Sequence, residues 1–319
     1  MPLRLTEEWH KVDVAGRAVR LRALCADGHA SKARHLLITG YTLAAEIYIP
    51  YCEQLVRAGH SVRVLDPFTL YDLDERSAAS LVAESPESFM PQAYAQRILE
   101  ILAHMPSGGL HVWAESMGAH AMLLALARRP EIAANLVLMN PTGIRQNLGR
   151  YRGAPDRMLT RLLGNRSVLV ACSRMLFGSQ FREWAYDTAR SLVGDMAYRS
   201  VYLDQCRTVV TGQASTFYSA MVLPLVGVNQ DLVTAESIQQ IRGVPLTMVL
   251  SKDDPMLVSH TDEDGRAIAD YRQAWLDLVS TLEPKVYWVT GGHEAVFREH
   301  FDVPDLVATV LGNCGENSV

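Results

Sequence analysis

Ser116 lies in the segment Val112-Trp113-Ala114-Glu115-Ser116-Met117-Gly118-Ala119, where an apolar run passes into a helical pattern. A hydroxyl presented at such a strand-to-helix turn takes a strained backbone conformation, and small residues two before and two after it let strand and helix pass close together. Here those residues are Ala114 and Gly118. Leu110-His111-Val112-Trp113 supplies the strand, and from Gly118 to Arg129 the apolar positions Met122, Leu123, Leu126 and Ala127 follow helical spacing. Ser116 is thereby predicted at a helix N-terminus, where free N–H groups and the positive dipole end favour negative charge developing beside it. That is the chemistry of a nucleophile elbow. Taken alone, the short pattern A-x-S-x-G also describes a serine capping an ordinary βα turn.

A serine hydroxyl is a weak nucleophile at neutral pH and needs a histidine base together with an acid that orients the imidazole. Both residue types follow in the chain. Pro245 to Leu250 is an almost wholly apolar strand, with Ser251-Lys252-Asp253-Asp254-Pro255 directly after it. Lys285 to Thr290 alternates as a short strand, Gly291-Gly292 breaks it, and His293 follows. Among the other histidines, His111 falls inside the elbow strand and His120 one turn into the elbow helix, where both read as structural. His300 lies two turns beyond His293 on the same predicted helix. Glu115 is expected at the mouth of the elbow, exposed, as a charge at a helix N-terminus.

Serine, acid and histidine in that order, each just past an apolar strand, is the arrangement of α/β-hydrolases. The chain resembles that superfamily over residues 12–141 and 243–312, about two thirds of its length. The resemblance implies an α/β fold with a mostly parallel central sheet flanked by helices and a helical cap or lid insertion. It also implies a triad of Ser116, Asp254 and His293, and no metal or organic cofactor. Asp254 is chosen over Asp253 because Asp254-Pro255 matches the family's Asp-Pro pattern. Another branch of the family carries the acid after the strand that follows the elbow helix, but here that strand ends in Asn140-Pro141, and an amide cannot stabilise an imidazolium as a carboxylate does. Leu36-Leu37-Ile38-Thr39-Gly40-Tyr41 is similar to the strand and Gly loop that gives an oxyanion-hole N–H, so the implied donors are the backbone amides of Tyr41 and Met117. Two departures stand out. Thr39-Gly40 replaces the His-Gly of many relatives, and Asp66-Pro67-Phe68-Thr69-Leu70-Tyr71 replaces a glycine-bearing loop beside the site.

Composition narrows the function classes. With 319 residues, 49% hydrophobic and 20% charged, the chain can bury a large core. A net charge of −5 argues against general nucleic-acid affinity, and neither zinc-type Cys/His spacing nor a Gly-rich phosphate loop occurs. Five scattered cysteines suit reduced thiols in a cytoplasm better than a disulfide framework. The acidic start, Met1 to Glu8, lacks the apolar region of a signal peptide, and no run reaches the length of a membrane span.

Around the site residues the sequence predicts a hairpin over Val12–Leu24 turning at Ala15-Gly16. Strands follow at His35–Thr39 and Ser61–Leu65, with helices at Ala45–Ala58, Pro91–His104 and Gly265–Leu282. Strands alternating with helices imply a mostly parallel sheet covered on both faces. The core domain is expected over 1–141 and 243–319. Residues 142–242, roughly 100 residues without a strand pattern, are too long for a structureless loop and read as a helical cap. From Arg145 to Arg182 the cap holds eight arginines with Asp156 as its one acid. Such a run suits an anionic group or, more plainly, a solvated surface. Later apolar residues such as Phe177, Phe217, Tyr218 and Met221 suit an acyl pocket or simple packing.

The sequence thus points to a serine hydrolase acting on a carboxylic ester or thioester, its partner a small acyl substrate carrying an anionic group if the cap arginines reach it. Acyl transfer, cleavage of an activated C–C bond by the same triad, and a non-catalytic ligand receptor on the same fold are the alternatives.

Overall fold

The computed structural model describes residues 5–26, 33–40, 45–68, 70, 73, 77, 80–81, 84–105, 109–144, 231–252, 254, 260–261, 267–268, 271–291, 306 and 308. The chain opens on an antiparallel hairpin of β1 (Thr6–Val14) and β2 (Arg17–Ala26). Ala15 and Gly16, at its turn, have φ of 53° and 78°, the double positive-φ turn that matches strand twist. The Gly16 N–H donates to the Asp13 carboxylate at 3.0 Å.

Strands and helices then alternate: β3 (Arg34–Ile38), α1 (Ile49–Arg57), β4 (Ser61–Asp66), α2 (Pro91–Leu102), β5 (Leu110–Glu115), α3 (Ser116–Leu126) and β6 (Ala133–Met139). After the long stretch outside the described residues come α4 (Ala235–Gln240) and β7 (Leu246–Ser251). A two-stranded ribbon of β8 (His260–Thr261) and β9 (Ala267–Ile268) follows, then α5 (Tyr271–Val279) and β10 (Lys285–Val289). The ribbon replaces the first turn of the helix predicted from Gly265. The connecting sequence Asp262-Glu263-Asp264-Gly265-Arg266 is rich in turn formers, and β-branched Ile268 suits a strand, so local pairing wins over helical spacing there.

Among the described residues, eight strands form one sheet in the order β1-β2-β4-β3-β5-β6-β7-β10. Every pairing from β4 to β10 is parallel, and the opening hairpin joins β4 antiparallel. The order reverses at β3, which has β4 on one side and β5 on the other. In open parallel sheets, such a reversal leaves a crevice beyond the C-terminal ends of the two strands. Thr39-Gly40 leaves β3 and Ser116 leaves β5 at that crevice.

Both faces of the central strands are buried, which explains their near-continuous apolar sequence. Leu36, Ile38, Val112, Ala114, Leu136, Leu138, Met248 and Leu250 face the layer of α2, α3, α4 and α5. The alternate residues Leu37, Trp113, Val137, Met139 and Val249 face Tyr51, Cys52 and Leu55 of α1. Helix α3 is apolar all round and every residue of it is buried, as expected for a helix packed in the middle of such a layer. It approaches β3 so closely that a Cβ on Gly118 would lie 2.2 Å from the Thr39 carbonyl oxygen and 3.0 Å from that of Ile38. Among the described residues no helix is long and apolar enough to cross a membrane.

At the opposite, N-terminal end of the strands, His35 of β3, His111 of β5 and His60 are buried together. The His35 ring centroid is 4.9 Å from that of His60 and 5.1 Å from that of His111, and the Trp113 indole N–H donates to His35 Nδ1 at 3.0 Å. An accepting Nδ1 requires a ring that is not doubly protonated. Burial first, then the neighbouring imidazoles of His111 and His60, holds His35 down to about 3. Burial also lowers His111.

Two outcomes follow from this packing. Gly118→Ala forces backbone apart where no flexible side chain can yield, and is expected to cost about 3 kcal/mol or more, read as a fall in the urea midpoint. Because His35 is neutral in the fold and takes its proton on unfolding, stability is fully present above the unfolded value of 6.5 and is lost as pH falls below it. His35 alone is expected to remove about 2 kcal/mol at pH 5 relative to pH 7. Thermal melts across that range should show the loss, and a His35→Gln variant should show a shallower pH slope.

Candidate active site

The chain enters the site along β5, buried at every position. Glu115 is extended, with φ −116° and ψ 141°, and the next residue, Ser116, has φ +50°. A non-glycine residue held in this left-handed region costs roughly 1–3 kcal/mol and persists only where its surroundings over-determine it. Those surroundings are visible on both sides. Gly118 presses α3 against the end of β3, and the Ser116 carbonyl accepts from the Thr142 N–H at 3.1 Å. Ser116 is buried but retains 8% of its surface. Met117 is the second residue of α3, so its N–H belongs to the first turn, whose amides have no acceptor within the helix. Together with the dipole end this forms a donor site for an anion beside the Ser116 hydroxyl.

The ends of β6, β7 and β10 are laced together next to that turn. Asn140, which follows β6 with φ +42°, donates its N–H to the Val249 carbonyl at 2.9 Å and accepts the Ser251 N–H on its side-chain oxygen at 2.8 Å. The Ser251 hydroxyl donates to the Gly291 carbonyl, and the Lys252 N–H donates to the Val289 carbonyl at 2.9 Å. Arg272 of α5 donates to the Lys252 carbonyl. Asp254, three residues beyond β7, is almost fully buried. A carboxylate so placed needs polar partners to offset its lost hydration. Asn140 is thus a brace between strand ends.

His120 lies one turn along α3 from Ser116 and is fully buried, with Nε2 against the Asp231 carbonyl. Burial lowers it to about 4, so it stays neutral. Gly143, with φ +122°, packs against this ring, and a Cβ there would come within 2.8 Å of it. The Gly143 carbonyl in turn accepts the Val233 N–H at 2.7 Å. The Asp231 carboxylate accepts the Gln92 N–H at the start of α2, at 3.1 Å. The two ends of the long stretch between β6 and β7 therefore meet over the elbow helix. His111, on β5, is part of the histidine group at the far end of the sheet. Both histidines nearest the serine in sequence are packed in the core, away from a role as base.

Glu115 is not at the mouth of the elbow. It is 1% exposed and accepts a hydrogen bond from the Tyr48 hydroxyl, which itself accepts the Gly40 N–H at 3.0 Å. Strand alternation is the reason. His111, Trp113 and Glu115 share one face of β5, the face covered by α1, so the residue before the serine points beneath the preceding helix. Tyr48 is the site residue that sequence reading missed, and the signal was that same alternation, which demands a partner for a buried carboxylate. Of the anticipated site residues, Ser116 and Met117 lie at the C-terminal end of β5 and Asp254 beyond that of β7, with β6 between the two strands. Tyr41 and His293, with the cap arginines, lie outside the described residues.

No protein-family model matches the chain, and no curated protein matches it. Solved structures do. A thioesterase domain from the curacin biosynthetic pathway is 14% identical, with a TM-score of 0.60 over 96% of this chain and 99% of that one. The N-acyl homoserine lactonase AidH, in a mutant complexed with N-hexanoyl homoserine, is 17% identical, with a TM-score of 0.62 over 98% of this chain and 99% of that one. A serine hydrolase involved in carbazole degradation, the CarC enzyme, is 17% identical, with a TM-score of 0.61 over 97% of this chain and 100% of that one. At such identities the likeness concerns architecture, and it agrees with the strand order and the serine turn: the chain has the α/β-hydrolase fold.

Proposed function

We propose that the protein is a serine hydrolase that cleaves a carboxylic ester or thioester through an acyl-enzyme. The observation that carries this reading is the positive φ of Ser116 at the junction of a buried strand and a buried helix. A serine that merely caps a helix needs no such conformation, since N-cap residues are ordinarily extended, and here the extended N-cap residue is Glu115. The likeness in architecture to a thioesterase domain and a lactonase supports the choice of an acyl substrate.

In this mechanism His293 takes the Ser116 proton as the hydroxyl oxygen attacks the carbonyl carbon. Asp254 holds the imidazole and stabilises its charged form. The tetrahedral oxyanion is bound by the Met117 and Tyr41 amides, each donor lowering the barrier by roughly 3 kcal/mol, judged from loss of a comparable side-chain donor. His293 then returns the proton to the leaving group, and a water it activates releases the acid. These groups suffice without a metal or organic cofactor. Asn140 supports the assignment of the acid to Asp254, because its side-chain oxygen is already committed to the Ser251 N–H. Residues 142–242 form the cap of this reading, supported by the junction of Gly143 with Val233 at its base; substrate choice then rests with the cap.

A fluorophosphonate probe should label the wild type and leave Ser116→Ala unlabelled, with hydrolysis of a short and a long p-nitrophenyl ester lost in parallel by at least about 10³-fold. An unlabelled wild type, or a labelled Ser116→Ala, would refute the reading. Asp254→Asn is expected to lower kcat by about 10³–10⁴-fold, and Asp253→Asn by no more than a few fold. The reverse order would move the acid to Asp253, and equal losses would refute the choice of Asp254 over Asp253.

A further inference from the structure

A buried relay joins the residue before the nucleophile to the loop after β3. The Gly40 N–H donates to the Tyr48 hydroxyl oxygen at 3.0 Å, and the Tyr48 O–H donates to the Glu115 carboxylate. Tyr48 is 0% exposed and Glu115 1%. The hydroxyl is held in place from its own side too. Tyr48 closes a short 3₁₀ turn, Ala45–Tyr48, that leads straight into α1, and its ring lies 6.1 Å from that of Tyr51. Burial first, and then the Glu115 carboxylate, pushes the Tyr48 hydroxyl well above its ordinary value, so it remains a donor to Glu115 throughout the working pH range. The carboxylate end of the relay is one residue from Ser116 and the amide end is one residue from Tyr41.

A carboxylate buried at this depth carries a desolvation penalty of several kcal/mol, and an apolar residue would fill the same strand position at less cost. What the carboxylate supplies is direction: it fixes the rotation of the Tyr48 hydroxyl, and the hydroxyl fixes the Gly40 amide. Two successive amides beyond β3 are then engaged within the fold, Thr39 to the Leu65 carbonyl at 3.1 Å and Gly40 to Tyr48. The next amide along the chain is that of Tyr41.

We infer that Glu115 and Tyr48 are positioning residues for the oxyanion hole, anchoring the Thr39–Gly40 peptide from which the chain leads into the proposed oxyanion-hole amide. The inference rests on the serine-hydrolase reading above. Neither side chain touches the reacting atoms, and both act through the placement of the loop. A displacement of about 1 Å at such a donor costs on the order of 100-fold in rate.

The test uses the full chain with three variants: Tyr48→Phe, Glu115→Gln and the double variant. For each, kcat/KM is measured with a p-nitrophenyl ester, alongside affinity for a trifluoromethyl ketone that forms a tetrahedral adduct with the serine, the rate of fluorophosphonate labelling, and Tm. Tyr48→Phe should lose about 10–100-fold in kcat/KM and in ketone affinity alike. Glu115→Gln keeps a carbonyl acceptor for the Tyr48 hydroxyl and should stay within about fivefold of wild type. The double variant leaves no buried carboxylate without its partner, so its Tm should recover towards wild type while its activity stays at the level of Tyr48→Phe. If Tyr48→Phe alone does not fold, the double variant carries the comparison. Wild-type kcat/KM in Tyr48→Phe, or activity that returns with Tm in the double variant, would overturn the inference. Labelling of wild type and Tyr48→Phe at equal rates sinks the positioning role alone, whereas an unlabelled wild type sinks the hydrolase reading and this inference with it.

Discussion

The contact on which the rest depends is the approach of α3 to the end of β3, with no room for a side chain at Gly118. The serine turn is strained at Ser116, and a strained residue relaxes unless its neighbours are fixed. Here the strand before it sits between β3 and β6 with both faces covered, and the helix after it is buried on every side. The strain of one residue, roughly 1–3 kcal/mol, is small against the burial of the Leu, Met and Trp side chains that immobilise the turn, each worth roughly 1.5–3 kcal/mol. A helix allowed to stand further from β3 would let the serine fall back to an extended or helical conformation, and the placement of its hydroxyl at the turn would be lost.

Burying a sheet on both faces creates a second demand, since any polar side chain pointing into either layer must find a partner there. The molecule answers it differently at its two ends. At the N-terminal end of the strands, the imidazoles of His35, His60 and His111 pack on one another, and His35 accepts from the Trp113 indole. That arrangement is sound at neutral pH and weak in acid. At the C-terminal end, Glu115 has the Tyr48 hydroxyl and the further partners are backbone groups: Asn140 with the Ser251 N–H, Tyr48 with the Gly40 N–H and Ser251 with the Gly291 carbonyl. These bonds hold loops, and in open parallel sheets ligands bind beyond that end of the strands.

Much of the fold was legible because its signals were periodic. The apolar strands at Leu36, Val112, Leu136 and Met248 and the turn at Ala15-Gly16 could be read from pattern alone, and Ala114-Glu115-Ser116-Met117-Gly118 announced the elbow by the size of its residues. Glu115 was misread because position in a motif was given more weight than position in a strand. The motif puts it beside the serine, but the period of two puts it under α1. Tyr48 was invisible for a related cause, since its role arises from a contact 67 residues apart in sequence. The ribbon at His260–Thr261 and Ala267–Ile268 shows the complementary failure: helical spacing extended backwards from Tyr271 over residues whose turn formers favour a local pair.

Asn140 and Asp254 share a problem of charge, and their placement separates its two halves. Tying β6 to β7 needs an acceptor for the Ser251 N–H, and an amide oxygen provides one without charge at a position with 0% exposure. A carboxylate at 140 would make the same bond while adding an ion with no water around it, which is costly unless a cation lies beside it. Orienting and stabilising an imidazolium, by contrast, needs the charge itself. The chain keeps the amide where only a bond is required and puts the carboxylate past the end of β7, on a loop whose base is pinned through Ser251 and Lys252 to β10. The acid of the proposed triad is then carried by a loop without being loose, because the strand ends beneath it are locked by hydrogen bonds among Asn140, Ser251, Gly291, Lys252 and Val289.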